Sequence, residues 1–160
     1  MSNCCCFIGH STIYDMDIVK ERLKHIVQEL IQRGVTTFYN GGMGQFDALG
    51  ARTVYDLKKT YGHIKNVLIT PYPNVDEYAA RLFDEVIYPN LEKYPRKYAI
   101  IYRNRFMVNN SDYAIAYVIH GWGGAAQTLE YAMKKGLHII NATDNQYYKS
   151  VSYTHLRAHE

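Results

Sequence analysis

The 160-residue chain lacks the features of a fibre, a secreted disulfide scaffold or a membrane-spanning protein. Its three cysteines are consecutive, Cys4, Cys5 and Cys6. Adjacent residues of a strand alternate faces and bridge poorly to one another, which excludes a disulfide framework and a spaced metal site. They read as small buried hydrophobes in a reducing compartment. Four prolines and 11 glycines are too few for a collagenous or low-complexity chain. No apolar run is long enough to cross a bilayer, and Met1-Ser2-Asn3 lacks the basic lead and apolar stretch of a signal peptide, so a cytoplasmic protein is expected. Charge of one sign is also scarce. Eighteen Lys and Arg oppose 15 Asp and Glu, and a net charge of +3 gives no argument for a nucleic-acid partner.

What remains is the composition of an ordinary globular domain, 48% apolar and 21% charged. The length suffices for one domain with a core and is too short for two. The last ten residues, Val151-Ser-Tyr-Thr-His-Leu-Arg-Ala-His-Glu160, resemble the translation of a sequencing-library adapter. They are expected to be a non-native tail behind a domain of residues 1–150. Removing them takes away Arg157 and Glu160, which leaves the net charge unchanged.

Residues 4–141 alternate short β-type runs with amphipathic helices, the pattern of an α/β fold with a doubly wound, mainly parallel sheet and helices on both faces. Residues 4–8 form an apolar run closed by Gly9-His10-Ser11. A helix is predicted over 17–33, where Val19, Leu23, Ile26, Val27, Leu30 and Ile31 recur at spacings of three and four, with Gly34 as its stop. Residues 35–39 read as a strand, 46–61 as a helix and 66–70 as a third strand. The middle third is less regular: a short helix within 75–83, an extended segment at 85–88, then a helix from Pro95 to about residue 110. Residues 113–119 are a continuous apolar run, as in a strand buried on both faces. A helix over 126–135 and a strand over 137–141 complete one Rossmann-like domain.

In such sheets ligands lie at the carboxyl ends of the strands. Three loops there are rich in glycine: Gly9-His10-Ser11-Thr12, Asn40-Gly41-Gly42-Met43-Gly44 and Gly121-Trp122-Gly123-Gly124. Glycine admits close approach to backbone N–H groups, and a helix start supplies unpaired donors, which together suit a phosphate or carboxylate; the alternative is that the glycines only make tight turns. Neither a Walker A sequence nor the dinucleotide Gly-x-Gly-x-x-Gly fingerprint is present. Asp47 either bonds a ribose hydroxyl or caps backbone donors. His10 either touches a phosphate or serves as a structural hydrogen-bonder. Trp122, the single Trp, reads as a surface for stacking on a base or as part of an interface. No metal and no cofactor is expected.

The segments Cys5-Cys-Phe-Ile-Gly-His10, Gly41-Gly-Met-Gly-Gln-Phe-Asp47 and Arg103-Asn-Arg-Phe-Met-Val-Asn-Asn-Ser-Asp112, followed by Gly123-Gly124 and Tyr131-Ala132, resemble blocks of the YpsA-like proteins. These belong to the SLOG superfamily, with the cytokinin-activating phosphoribohydrolases, once called lysine decarboxylase-like, and the DNA-processing protein DprA. The resemblance spans residues 4–141. It implies a Rossmann-like fold, a nucleotide or nucleotide-derived ligand and a homodimer. The glycine-rich loops, the single Trp and these blocks together give an expected ligand-binding set of Gly9, His10, Ser11, Gly41, Gly42, Gly44, Asp47, Arg103, Trp122, Gly123, Gly124, Ala125 and Thr128.

Arg105, Met107 and Asp112 fit the phosphoribohydrolase pattern, and Gly123-Gly-Ala-Ala-Gln-Thr-Leu-Glu130 approximates its glycine motif. Trp122 stands at the proline position, Ala126 replaces the third glycine, and one extra residue precedes Thr128. One residue turns a helix by about 100°, which changes what Thr128 and Glu130 face. The enzyme alternative makes Glu130 the carboxylate that stabilises an oxocarbenium-like state and activates water, with Arg105 holding the phosphate or orienting that carboxylate. In the bland alternative Glu130 is a first-turn glutamate on the helix dipole, and Arg103 and Arg105 form a solvated face with Arg96 and Lys97. Single-stranded DNA binding is a third reading, disfavoured by the mild charge.

Overall fold

The strand Cys4–Gly9 (β1) shows how the chain divides its side chains between two layers. Cys5 and Phe7 point to one face of the sheet, Cys6 and Ile8 to the other, and all four are buried. A strand covered on both faces has no polar side to alternate with, hence the unbroken apolar run. Burial drives the thiol of Cys5 well above its usual range and that of Cys6 up to about 12, so neither ionises near neutral pH.

The computed structural model describes residues 3–144, so the expected tail at 151–160 lies outside the described residues. Helix α1 (Met16–Gln32) follows β1, then β2 (Thr37–Asn40), α2 (Gly44–Leu57) and β3 (Lys65–Ile69). A single helical turn, α3 (Glu77–Ala80), leads to β4 (Glu85–Ile87). Two 3₁₀ turns precede α4 (Ala99–Asn109), and β5 (Tyr113–Tyr117), α5 (Gly124–Lys134) and β6 (His138–Asn141) end the fold. The helix expected to start at Pro95 therefore opens with a 3₁₀ turn, Arg96–Tyr98, before α4 proper.

All pairings are parallel, in the order β4-β3-β2-β1-β5-β6. The registers Phe7↔Ile115 and Ile8↔Ala116 fix the centre of the sheet. Val19, Leu23, Val27 and Leu30 of α1 join Phe46 and Val54 of α2 over one face. Met107 and Val108 of α4 join Ala126, Leu129 and Ala132 of α5 over the other. Among the described residues no helix is long and apolar enough to cross a membrane.

The chain builds β1 to β4 outward on one side, then crosses over to add β5 and β6 on the other. The order therefore reverses between β1 and β5, which opens a crevice beyond their carboxyl ends. Gly9, at the end of β1, has no room for a side chain, because a Cβ there would lie 2.2 Å from the Phe46 ring.

Candidate functional site

A cavity of about 480 Å³ occupies that crevice. Its walls come from the loop after β1 (Gly9, His10, Ser11, Thr12), from Met43 and Asp47 of the α2 start, from Ile100, Arg103, Asn104 and Met107 of α4, and from the segment after β5 that opens α5. Of the residues expected from the sequence, the crevice gathers Gly9, His10, Ser11, Asp47, Arg103, Trp122, Gly123, Gly124, Ala125 and Thr128. Gly41, Gly42 and Gly44 are not among the lining residues, although Gly41 and Gly44 touch residues that are. The Gly41 carbonyl accepts from Arg103, and a Cβ on Gly44 would come within 2.7 Å of Ser11 Cα.

Arg105 and Glu130 are not among the lining residues. Both are exposed, and the Arg105 guanidinium lies over the rings of Tyr102 and Tyr131, 5.5 and 5.1 Å from their centroids. Asp112 is also remote; its carboxylate accepts from the Cys4 amide at the far end of β1. The solvated face proposed for Arg103 beside Arg96 and Lys97 is corrected by its burial, 2% exposed. The guanidinium of Arg103 points inward under the sheet ends, onto backbone carbonyls there. Nη1 donates to Gly41 O at 2.6 Å and Ile69 O at 3.0 Å, and Nε donates to Asn104 Oδ1 at 2.8 Å. Asn104 Nδ2 in turn donates to Thr128 Oγ1 at 3.1 Å, and that hydroxyl donates to Gly124 O at 2.8 Å. The network ties the ends of β2 and β3 to α4 and α5, and it commits the Thr128 proton.

The two helix starts at the cleft differ. At α2, Met43 N–H donates to Asp47 Oδ2 (3.0 Å), Gln45 N–H to Ser11 O (2.8 Å), and Gly42 N–H to Asn40 Oδ1 (2.7 Å). These donors are spent. At α5, Gly123 has a positive φ of 91°, offers no capping side chain, and no acidic residue occupies the first turn. The amides that open this 11-residue helix therefore keep their donor capacity and partial positive charge for an anion.

Burial raises the Asp47 carboxyl to about 6, although the Met43 amide and the Arg103 charge both draw it down. His10 accepts from Ile119 N–H at Nε2 (3.0 Å), which leaves the ring proton on Nδ1. Burial, then the neighbouring His120, lower His10 to about 4, so its ring is neutral at physiological pH. His120 and Asn104 line the cleft but were not singled out in the sequence. Position, immediately before Gly121, was the only available signal for His120. Nothing in the sequence distinguishes Asn104 from its neighbours. Among the described residues no group of His, Cys, Asp and Glu could hold a metal ion.

A parallel doubly wound sheet with a cleft at its strand-order reversal defines a Rossmann-like α/β domain. The YpsA family model, described as the YspA SLOG family, matches residues 10–138, and the chain belongs to this family. It is 27% identical to the uncharacterized SPbeta prophage-derived protein YoqJ of Bacillus subtilis (strain 168), over 72% of this chain and 81% of that one. Solved structures with the same fold include TM1055 (15% identity, TM-score 0.62, covering 91% of this chain and 76% of that one). DprA from Streptococcus pneumoniae matches with 12% identity and a TM-score of 0.66, over 98% of this chain and 56% of that one. The molybdenum cofactor carrier protein of Chlamydomonas reinhardtii matches with 15% identity and a TM-score of 0.61, over 99% of this chain and 87% of that one.

Proposed function

We propose that the chain binds a nucleotide or nucleotide-derived small molecule in the β1/β5 cleft, with an anionic phosphate on the start of α5, and acts as a sensor or sequestering module. The observation that carries this reading is the uncapped α5 N-terminus opening into the cavity of about 480 Å³, while three amides at the competing α2 start already donate to internal acceptors. The cavity volume falls in the usual range of small-molecule sites. Asp47 and Arg103 are the charged side chains among the described lining residues, and Arg103 is buried. That lining favours a small ligand over single-stranded DNA, which needs a continuous basic groove.

N-glycosidic hydrolysis is the alternative, and the carboxyl group that lines the cleft is Asp47 rather than Glu130. Calorimetric titration with AMP, coupled to chromatography for free adenine, separates the readings. Binding without adenine release is expected. Release that disappears in Asp47→Asn or in Glu130→Gln would favour the enzyme.

Gly124→Asp tests the anion position. A Cβ at Gly124 meets nothing within 4 Å, so the carboxylate can occupy the helix start. It is expected to weaken AMP binding at least about tenfold while holding or raising the melting temperature, because an acidic first turn stabilises a helix. Unchanged AMP affinity in this folded variant would sink the reading.

A further inference from the structure

Three rings form a column along the cleft. His10 stacks on His120 with centroids 3.8 Å apart and planes 18° from parallel, and His120 stacks on Trp122 at 3.6 Å and 15°. All three residues line the cavity. His10 is anchored at the inner end by the Ile119 amide. His120 Nδ1 is buried with no hydrogen-bond partner, so the ring is held by stacking on both faces rather than by polar contacts at that atom. A buried polar atom left unpaired is costly and needs a reason. A flat, ordered seat for the indole supplies one.

Trp122 closes the column. One face of its indole covers His120, yet the residue remains 70% exposed, so the other face is open at the cleft beside Gly123 and Gly124. An isolated surface Trp would be expected to fold down onto apolar neighbours. Here a two-ring π surface is instead stacked next to the helix start, which lowers the ordering cost of seating a base on it. Base–aromatic stacking is worth enough to decide affinity and grows with overlap, so a two-ring face favours a two-ring base.

We infer that the free face of Trp122 seats the heteroaromatic base of the ligand, the His10–His120–Trp122 column being a rigid platform and the ligand class a purine nucleoside monophosphate or a derivative of one. This rests on the α5 start holding the phosphate, a short reach from the indole along the same loop. The two ends of the ligand are then read by different physics. Backbone amides take the charge, and stacking takes the base.

Trp122 is the chain's single Trp, so its fluorescence reports on the platform alone. AMP is expected to quench it saturably, more tightly than CMP, whereas ribose 5-phosphate binds calorimetrically without quenching. Trp122→Ala is expected to weaken AMP about tenfold and to leave ribose 5-phosphate unchanged, and Trp122→Phe to recover most of the loss. Equal affinity for AMP and ribose 5-phosphate, or equal weakening of both in Trp122→Ala, would overturn the platform and leave the phosphate site standing. If neither compound binds the intact protein, the phosphate reading itself fails, and this inference with it.

Discussion

Asp47 carries a cost that its neighbours do not. Its carboxyl is buried, bonded to a single amide, and raised from the ordinary value of 3.8 to about 6 despite the nearby Arg103 charge. The folded state therefore holds a proton on Asp47 that the unfolded chain releases between those two values. The associated stability is present below about pH 4 and is lost as pH rises through about 6, a loss of up to about 3 kcal/mol for a shift of this size. In Asp47→Asn the amide oxygen still accepts from Met43 N–H and nothing titrates. Urea denaturation across about pH 4 to 7 should show the wild-type protein losing stability relative to Asp47→Asn as pH rises. A difference that stays flat would mean that the carboxyl titrates alike in both states. The type of this residue was legible in the sequence as a helix-start acid. Its burial was not, because nothing local says that α4 will lay an arginine beside it.

At the scale of elements, Arg103 does for the loops what sheet hydrogen bonds do for the strands. One guanidinium satisfies carbonyls after β2 and at the end of β3, and through Asn104 it reaches Thr128 on α5. Arg103→Met keeps the length and removes the donors, leaving Gly41 O and Ile69 O short of a partner. We expect a loss of about 2–4 kcal/mol by urea denaturation, with the helical circular dichroism retained. A loss under about 0.5 kcal/mol would mean that water replaces the guanidinium freely. Helix and strand existence was readable throughout because α1 keeps a three-and-four apolar spacing and β5 an unbroken apolar run. The pair Arg103 and Arg105 was not, since residues two apart on a helix face apart by about 200° and only packing decides which of them is inside.

At the scale of the molecule, the sheet order creates the site. Gly9 is more than a hundred residues from His120 and Gly124, and they meet because β5 lies beside β1. The expected domain of residues 1–150 and the expected homodimer are open to one experiment on a chain ending at residue 150. It should melt within about 2 °C of the full chain, a shift well under 1 kcal/mol, and elute as a dimer by light scattering. A lower melting temperature would assign residues 151–160 to the fold, and a monomer mass would remove the dimer.

The sequence by itself determined the α/β class, the order of elements, the burial of Cys5 and Cys6 though not of the partly exposed Cys4, and the glycine-rich loops, because periodicity and turn chemistry are local properties. It also carried the family blocks from Cys5 to Ala132. Only the tertiary structure decided that the α5 start opens into the cleft and which arginine is buried, and only it stacked His10, His120 and Trp122 into one column. Those outcomes depend on which loops the parallel registers bring together, and hydrogen-bond satisfaction across segments distant in the chain leaves no periodic trace in any one of them.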